Sequence, residues 1–150
     1  MRAPFQILSI PYRIIDGTPL FCIFHRSDSS YWQFIAGGGE NGETLIEAAK
    51  RETFEEIGIE PSNMQQLECV AYVPAEVIAE SKRQHWDKNT YVIPEYSFAF
   101  ECDSDPILSN EHTKYKWLTY DEARKLLKWD SNKVAMYEIK CILEKRKYLE

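Results

Sequence analysis

The chain has 150 residues, of which 44% are hydrophobic, so it is long enough for one domain with a proper core and too short for two. Its 24 acidic and 18 basic residues give a net charge of −6, which argues against duplex nucleic acid as a partner because duplex binding requires surplus Lys and Arg. No apolar stretch is long enough for a signal peptide or a membrane span. We therefore expect residues 1–150 to form a single domain with no duplex or membrane partner.

The spacing of the cysteines and histidines argues against a zinc site. The cysteines show no C-x-x-C pair and the histidines are isolated from one another. Scattered cysteines within apolar segments are typical of free core thiols in a reducing compartment. We therefore expect a cytoplasmic protein with four free thiols. The residues concerned are Cys22, Cys69, Cys102 and Cys141, and His25, His85 and His112.

The first part of the chain predicts β-strands followed by a loop. Residues 5–15 and 20–24 are apolar runs separated by a short turn segment at residues 16–19, a pattern typical of a β-hairpin. Residues 31–35 predict a short strand. Residues 37–42 contain four glycines, and we interpret this segment as a loop whose backbone approaches a ligand closely.

A helix is predicted at about residues 45–57. Thr44 followed three residues later by Glu47 is the sequence signature of a capping box, and Gly58 is a typical helix stop. An apolar stripe at helical spacing predicts the face that packs on a sheet. The residues of this stripe are Ile46, Ala49, Thr53 and Ile57.

The second half of the chain predicts three more strands and two helices. The predicted elements are strands at residues 67–73, 91–100 and 115–118, a helix capped by Thr119 and extending to about residue 129, and a helix capped by Ser131 and extending to residue 147. Residues 74–90 are polar and we expect them to be irregular. Connections of that length are often functional.

Three carboxylates lie on one side of the predicted central helix, at Glu52, Glu55 and Glu56. Like charges at these spacings repel each other, and the negative end of the helix dipole adds to the cost. A shared divalent cation would reverse both penalties, because a bound metal is usually the largest charge in its site. The alternative is an acidic helix face exposed to water, which is the commoner explanation of a Glu-rich helix.

The spacing of the residues around this cluster resembles the signature of the Nudix hydrolase family. Eight of its nine specified positions match, and Thr53 stands where the family usually has an aliphatic residue. The matching residues are Gly37, Glu43, Arg51, Glu52, Glu55, Glu56, Gly58 and Ile59.

The resemblance implies an α/β fold, a Nudix-type α/β/α sandwich with a mixed β-sheet, and hydrolysis of a nucleoside diphosphate linked to another group. It also implies a Mg²⁺ or Mn²⁺ ion, which prefers oxygen ligands. By the same resemblance, Arg51 orients the carboxylates of the motif with Glu43 as its partner, and Gly58 is a structural residue. The implied metal ligands are Glu55 and Glu56, Glu52 as a ligand or the base, and a carbonyl oxygen at Gly37 or Gly38.

The flanking segments are similar to bacterial dihydroneopterin triphosphate pyrophosphatases, often called dATP pyrophosphohydrolases. The similarity lies in residues 31–34, 111–118 and 129–132. It implies that Glu111 is a further metal ligand or the general base, so the base is either Glu52 or Glu111. Diadenosine tetraphosphate hydrolases typically carry Pro-Lys where this chain has Ile35-Ala36, which argues against that substrate.

Four residues are candidates for substrate binding. Arg26 has a planar fork that suits phosphate oxygens, although an ordinary surface arginine is an equally good interpretation. Trp32 has a ring that would stack on a purine or pterin, although such residues more often pack in the core. Arg83 and His85 form a positive patch in the long polar segment, which is suited to phosphates or is simply solvated.

The leading hypothesis is a metal-dependent pyrophosphohydrolase that cleaves a nucleoside triphosphate or dihydroneopterin triphosphate to the monophosphate and pyrophosphate. The alternatives are an ADP-ribose or nucleotide-sugar hydrolase and a nucleotide-sensing domain without catalysis. The complete set of motif carboxylates favours an enzyme over a sensor. The expected partner is a small phosphoanhydride molecule, and the sequence is compatible with a monomer or a homodimer.

Overall fold

A seven-stranded mixed β-sheet forms the middle layer of the computed structural model, which describes the backbone of residues 1–149 and the side chains of residues 1–146. The strands are β1 (Arg2–Ile15), β2 (Thr18–Arg26), β3 (Trp32–Gln33), β4 (Ile35–Glu40), β5 (Gln65–Pro74), β6 (Val92–Glu101) and β7 (His112–Leu118). The helices are α1 (Leu45–Ile57), α2 (Glu80–Arg83), α3 (Tyr120–Leu126) and α4 (Asp130–Leu149). The expected α/β/α sandwich with a mixed sheet is confirmed.

Strand β1 holds the sheet together because it pairs along both of its edges. One edge pairs in parallel with β6, and the other pairs antiparallel with β4 and then with β2. Strand β2 continues the sheet to β3 and β7, and β5 closes the far side next to β6. The long N-terminal strand therefore connects every part of the sheet that contributes to the site described below.

Alternating residues of the strands pack on two separate layers, as the period of two in a strand requires. Leu8, Phe21 and Ile23 point to the face covered by α3 and α4. Ile7 and Cys22 point to the opposite face, which α1 covers. Both faces of the sheet are therefore buried, and the site residues lie where these layers end.

The glycine-rich segment forms a strand, so its interpretation as a loop was wrong. Gly37 pairs with Ile7 and Gly38 pairs with Gln6, which makes the segment part of β4. The glycine content alone suggested a loop, because the pairing partner β1 lies about 30 residues earlier in the sequence and no local pattern reveals it. Glycine is favoured in this strand because neighbouring side chains occupy the space that a Cβ would need.

Helix α1 has the predicted bounds. The Thr44 hydroxyl accepts from the Glu47 backbone N–H, the Glu47 carboxylate accepts from the Thr44 N–H, and Gly58 ends the helix with a φ of 69°. The predicted apolar stripe is wrong at Ile46, which is 37% exposed. Ala48 takes its place on the buried face, because the face is rotated slightly from the predicted one.

The C-terminal half differs from the prediction at three points. The first of the two predicted helices ends at Leu126 rather than near residue 129, and Ser131 lies inside α4 rather than capping it. The segment 74–90 is not wholly irregular, because it contains a 3₁₀ turn at Ala75–Val77 and the short helix α2. The three strands predicted in this half are confirmed, with bounds shifted by up to three residues. The strand predicted at residues 31–35 is instead divided between β3 and the start of β4. None of the helices that the structure describes is long and apolar enough to cross a membrane.

Thr53, the residue that departs from the family pattern, makes a buried polar contact. Its hydroxyl lies 2.7 Å from the Ala49 carbonyl oxygen and 2.8 Å from the Ser9 hydroxyl, and both Thr53 and Ser9 are fully buried. This contact links α1 to β1. The Ser9 hydroxyl needs Thr53 as a partner, because a buried hydroxyl without a hydrogen bond is costly.

We expect Thr53→Val to lower the free energy of unfolding by about 1–2 kcal/mol, because the Ser9 hydroxyl loses its partner. The double variant with Ser9→Ala should return close to the parent value, since both polar groups are then gone. Urea denaturation of the two single variants and the double variant measures this. A Thr53→Val protein as stable as the parent would contradict the interpretation.

Candidate active site

Arg51 on α1 connects the carboxylates of the motif to the glycine strand. Its guanidinium donates two hydrogen bonds to Glu43, of 2.7 and 2.9 Å, and one of 2.8 Å to the Gly38 carbonyl oxygen. It also donates to Glu52 at 3.1 Å and to Glu55 at 3.2 Å. The hydrogen bonds from Arg51 lower the pKa of Glu43, and the same pair raises the pKa of Arg51. All three glutamates are therefore positioned by one fixed positive charge.

The glycines of β4 let the helix and the N-terminus come close to the strand. A Cβ on Gly37 would collide with the Glu52 carboxylate, and a Cβ on Gly38 would collide with the guanidinium of Arg2. Side chains from α1 and β1 therefore lie directly against the backbone of β4. The backbone of β4 at Gly37 is thus brought next to the Glu52 carboxylate.

Glu52, Glu56 and Glu111 line one cavity of about 950 Å³. Burial raises the pKa of Glu52 to about 7, against the opposing effect of Arg51. Burial, followed by the neighbouring Glu111 carboxyl group, raises the pKa of Glu56 to about 10. These carboxylates lie close enough together for each to disfavour the charged form of another.

Glu56 also contacts a buried histidine that sequence reasoning treated as isolated. The Nδ1 atom of His112 lies 4.0 Å from the Glu56 carboxylate, and neither ring nitrogen has a hydrogen-bond partner among the described residues. Burial lowers the pKa of His112. The neutral ring packs against Phe24, with a centroid separation of 5.4 Å. The sequence could have indicated His112 as a site residue, because it directly follows the candidate ligand Glu111.

The oxygen atoms at this site fit a divalent cation in their chemistry. Oε2 of Glu56 is buried without a hydrogen-bond partner among residues 1–146, which is costly for a carboxylate unless a cation or proton compensates it. Mg²⁺ and Mn²⁺ prefer such oxygen ligands. Among the described residues, no three His, Cys, Asp or Glu side chains already stand together as a metal site. Here Arg51 holds Glu52 and Glu55 by ion pairs.

Glu55 stands apart from the other carboxylates of the helix. Its side chain is 55% exposed, and it does not belong to the lining of the cavity. It is connected to the cluster through the ion pair with Arg51. The three predicted ligands of α1 are therefore placed in two different environments.

The predicted substrate contacts divide into two groups. Arg26 lines the large cavity, with two of its N–H groups bound to Asp28 at 2.8 and 2.9 Å, and His85 lines an adjoining cavity of about 540 Å³. Trp32 and Arg83 line neither cavity. Trp32 belongs to the core below α3, and the Arg83 guanidinium donates to the Ile78 carbonyl oxygen at 2.9 Å.

Several residues that line the cavities were not expected from the sequence. Arg2 and Lys82 lie at both cavities and add positive charge close to Glu52. Trp129 and Tyr72 provide aromatic rings that are 44% and 66% exposed. Trp129 lies in one of the segments that carry the family resemblance, so the sequence could have indicated it as a site residue.

The comparisons with known proteins agree with this geometry. The family model described as "NUDIX domain" matches residues 14–138. The dihydroneopterin triphosphate diphosphatase of Escherichia coli strain K12 is 28% identical over 90% of this chain and 91% of its own length. The asymmetrical bis(5'-nucleosyl)-tetraphosphatase of Rattus norvegicus is 32% identical over 83% of this chain and 81% of its own.

A solved structure from Listeria monocytogenes, described as a NUDIX hydrolase, superposes with a TM-score of 0.81. Its sequence is 39% identical to this chain, and the match covers 96% of this chain and 97% of that protein. The agreement therefore extends over nearly the whole length of both proteins.

We expect the metal-free protein to become less stable as the pH rises from about 5 to 7. The pKa of Glu56 is raised in the folded state, so above the unfolded value of about 4.3 the folded protein binds more protons than the unfolded chain. This carboxyl group alone should lower the free energy of unfolding by up to about 1.4 kcal/mol per pH unit.

Urea denaturation in the presence of a chelator measures this dependence. Glu56→Gln should flatten the profile, because the amide does not titrate. Glu55→Gln removes one negative charge from the half-exposed side chain and is the matched control. A profile of equal slope in the parent and in Glu56→Gln would show that Glu56 is not the cause.

Proposed function

This chain belongs to the NUDIX family and is a Nudix phosphoanhydride hydrolase, and we propose that it cleaves a nucleoside triphosphate or dihydroneopterin triphosphate to the monophosphate and pyrophosphate, with Mg²⁺ or Mn²⁺. The observation that carries the proposal is the cavity lined by Glu52, Glu56 and Glu111, in which the side chains of Glu52 and Glu56 are largely buried and their pKa values are raised. Buried acidic groups with strongly shifted pKa values are concentrated at functional sites.

The proposed ligands of the cation are Glu52, Glu55, Glu56 and Glu111 with the carbonyl oxygen of Gly37. Glycine at position 37 supports this set, because it lets the strand lie directly against the Glu52 carboxylate. When bound, the cation offsets the negative charge that develops on the phosphoryl oxygens. The geometry needed for this comes from Arg51, which keeps its three glutamates from separating.

The general base is proposed to be Glu52 or Glu111, which takes the proton from the attacking water at a carboxylate oxygen. Glu52 is supported by its pKa of about 7, since a base works best when its pKa is near the working pH. Glu111 is supported by its place beside Glu56 at the same cavity. Arg51 is proposed as a positioning residue, because its guanidinium is held by hydrogen bonds to the Gly38 carbonyl oxygen and to Glu43.

The substrate phosphates are proposed to lie between the carboxylates and a group of basic side chains. Arg26, Arg2, Lys82 and His85 line the two adjoining cavities, and they supply the positive charge and N–H donors that a triphosphate needs. Trp32 and Arg83 are not among the proposed contacts, because neither lines either of these two cavities. Exposed rings, including that of Trp129, provide surfaces on which a purine or pterin can stack.

The choice of triphosphate is supported by the E. coli relative, which matches this chain over 90% of its length. The rat relative acts, by its name, on dinucleoside tetraphosphates, and the Ile35-Ala36 pair argues against that substrate here. Within this proposal the chain acts as one domain on a small molecule. A cytoplasmic location is supported by the free state of Cys22, Cys69, Cys102 and Cys141.

We expect Glu56→Gln to lower kcat by about 10³-fold or more while the protein folds normally, because the variant loses a carboxylate ligand for the cation. Pyrophosphate release at saturating Mg²⁺ measures this, and circular dichroism checks the fold. Glu60→Gln, an exposed glutamate just beyond the helix, is the matched control and should keep full activity. A chelator should abolish turnover of the parent and added Mg²⁺ should restore it.

A substrate panel tests the chemistry of the reaction. We expect pyrophosphate and a monophosphate from dihydroneopterin triphosphate or from at least one common nucleoside triphosphate, at a kcat/KM of about 10⁴ M⁻¹s⁻¹ or more. ADP-ribose, a sugar nucleotide and diadenosine tetraphosphate should be poor substrates. Turnover of ADP-ribose alone, or tight binding without any phosphate release, would contradict the proposal.

A further inference from the structure

Glu95, in the middle of β6, is a buried carboxylate that the proposed chemistry does not use. The residue is 4% exposed, and it belongs to the lining of the large cavity. Its Oε2 accepts a hydrogen bond of 2.7 Å from Nε2 of Gln6, whereas its Oε1 has no hydrogen-bond partner among the described residues. One oxygen of a buried carboxylate is therefore held in place and the other is left without a donor.

Glu138 provides a comparison, because it is a carboxylate with a structural role. Glu138 on α4 accepts from the backbone N–H of Glu68 at 2.6 Å and from that of Cys69 at 2.8 Å, so both of its oxygens are satisfied. Buried polar groups normally have such partners. Burial raises the pKa of Glu95, and the Gln6 amide and the nearby Ser131 hydroxyl oppose this effect without reversing it, so the fold bears a cost for this carboxylate. The unpaired Oε1 of Glu95 is therefore better explained by a ligand than by structure.

Glu95 lies in a row of residues that crosses four strands. Gly38 pairs with Gln6, Gln6 pairs with Glu95, and Glu95 pairs with Ala71. Because adjacent strands lie about 4.8 Å apart, Glu95 is about 10 Å across the sheet from Gly38. All four residues line the cavity, and the outer two have little or no side chain. The row thus leaves open space over Gln6 and Glu95.

The row and the phosphate site lie on opposite faces of the sheet, joined at β4. Gln6 has the same orientation as Leu8, whose core is covered by α4, whereas Gly37 faces Glu52 on α1. Among the described strands, β4 pairs only with β1, so its other edge is open to the cavity. Without side chains on these glycines, a substrate can pass this edge with its phosphates near α1 and its ring near α4.

We propose that Glu95 determines ring specificity by accepting two parallel hydrogen bonds from a guanine or pterin ring. Both rings carry a ring N–H directly beside an exocyclic amino group, which matches the two oxygens of a carboxylate. Adenine and cytosine present an acceptor beside their amino group, and this acceptor is repelled by a carboxylate. The proposal rests on the proposed function, since it assigns the substrate class within it.

Two neighbours support this role for Glu95. Gln6 is itself oriented, because its Oε1 accepts from the Arg2 guanidinium at 3.4 Å, and it therefore presents its amide donor to Glu95. Trp129, at the start of α4, lines the same cavity with its indole N–H bound to Gln33 at 3.2 Å. A fixed indole ring and a fixed carboxylate that line one cavity are suited to a flat ring with a polar edge.

The test compares GTP, ITP and ATP, because inosine differs from guanosine only in lacking the amino group. The parent protein should prefer GTP to ITP by about ten- to hundredfold in kcat/KM, and should prefer GTP to ATP by at least as much. Glu95→Gln keeps the shape but presents one acceptor and one donor, so it should bring the GTP to ITP ratio close to one and improve the use of ATP. Glu101→Gln, at the exposed end of the same strand, is the control and should keep the parent ratios.

Binding of GMP, IMP and AMP to the metal-free protein, measured by calorimetry, separates this proposal from the proposed function. If no triphosphate is hydrolysed, the proposed function fails, and a preference for GMP over IMP that is lost in Glu95→Gln still supports Glu95. Equal binding of GMP and IMP by the parent overturns the role of Glu95, as does an unchanged preference in a folded Glu95→Gln protein. The parent ratio decides the question if the variant does not fold.

Discussion

The ion-pair network around Arg51 is the interaction on which the site depends. One guanidinium contacts Glu43, Glu52 and Glu55 and also the Gly38 carbonyl oxygen, so it links the start of α1, its middle and strand β4. Without this charge, neighbouring carboxylates on one helix would repel each other. Because arginine is always protonated and its guanidinium is planar, its positive charge is present at any working pH and it fixes geometry as well as charge.

Burial divides the acidic residues of this protein into two kinds. Glu43 and Glu138 are satisfied by donors, and they hold the fold together. Glu56 and Glu95 each carry a buried oxygen without a donor among the described residues, and both line the large cavity. A protein that tolerates such groups gives up stability at the sites where it binds a ligand. In the proposed complex, Glu56 lies on the phosphate side and Glu95 on the ring side of the ligand.

Sequence reasoning succeeded where the signal was local and failed where the partner was distant. The bounds of α1 follow from Thr44 and Gly58, which act on neighbouring backbone groups. The glycines of β4 belong to a strand only because β1 lies beside them, which no local pattern reveals. Trp32 was a candidate for stacking because its ring suits a purine or pterin, and tertiary packing places it in the core, which was the stated alternative. Glu95 has no motif at all, and its significance comes entirely from its burial.

The glycine strand gives a physical reason why one fold can serve different substrates. The proposed cation ligands lie on α1, at Gly37 and at Glu111, whereas the proposed ring contacts lie on β6 and just before α4, across the sheet. Residues that are this far apart and share no partner contribute nearly independently to the free energy of binding. Substitutions on the ring side, such as at Glu95, can therefore change which molecule is bound without disturbing Arg51 and its carboxylates. The division of the site between two faces of one sheet makes specificity separable from the chemistry of hydrolysis.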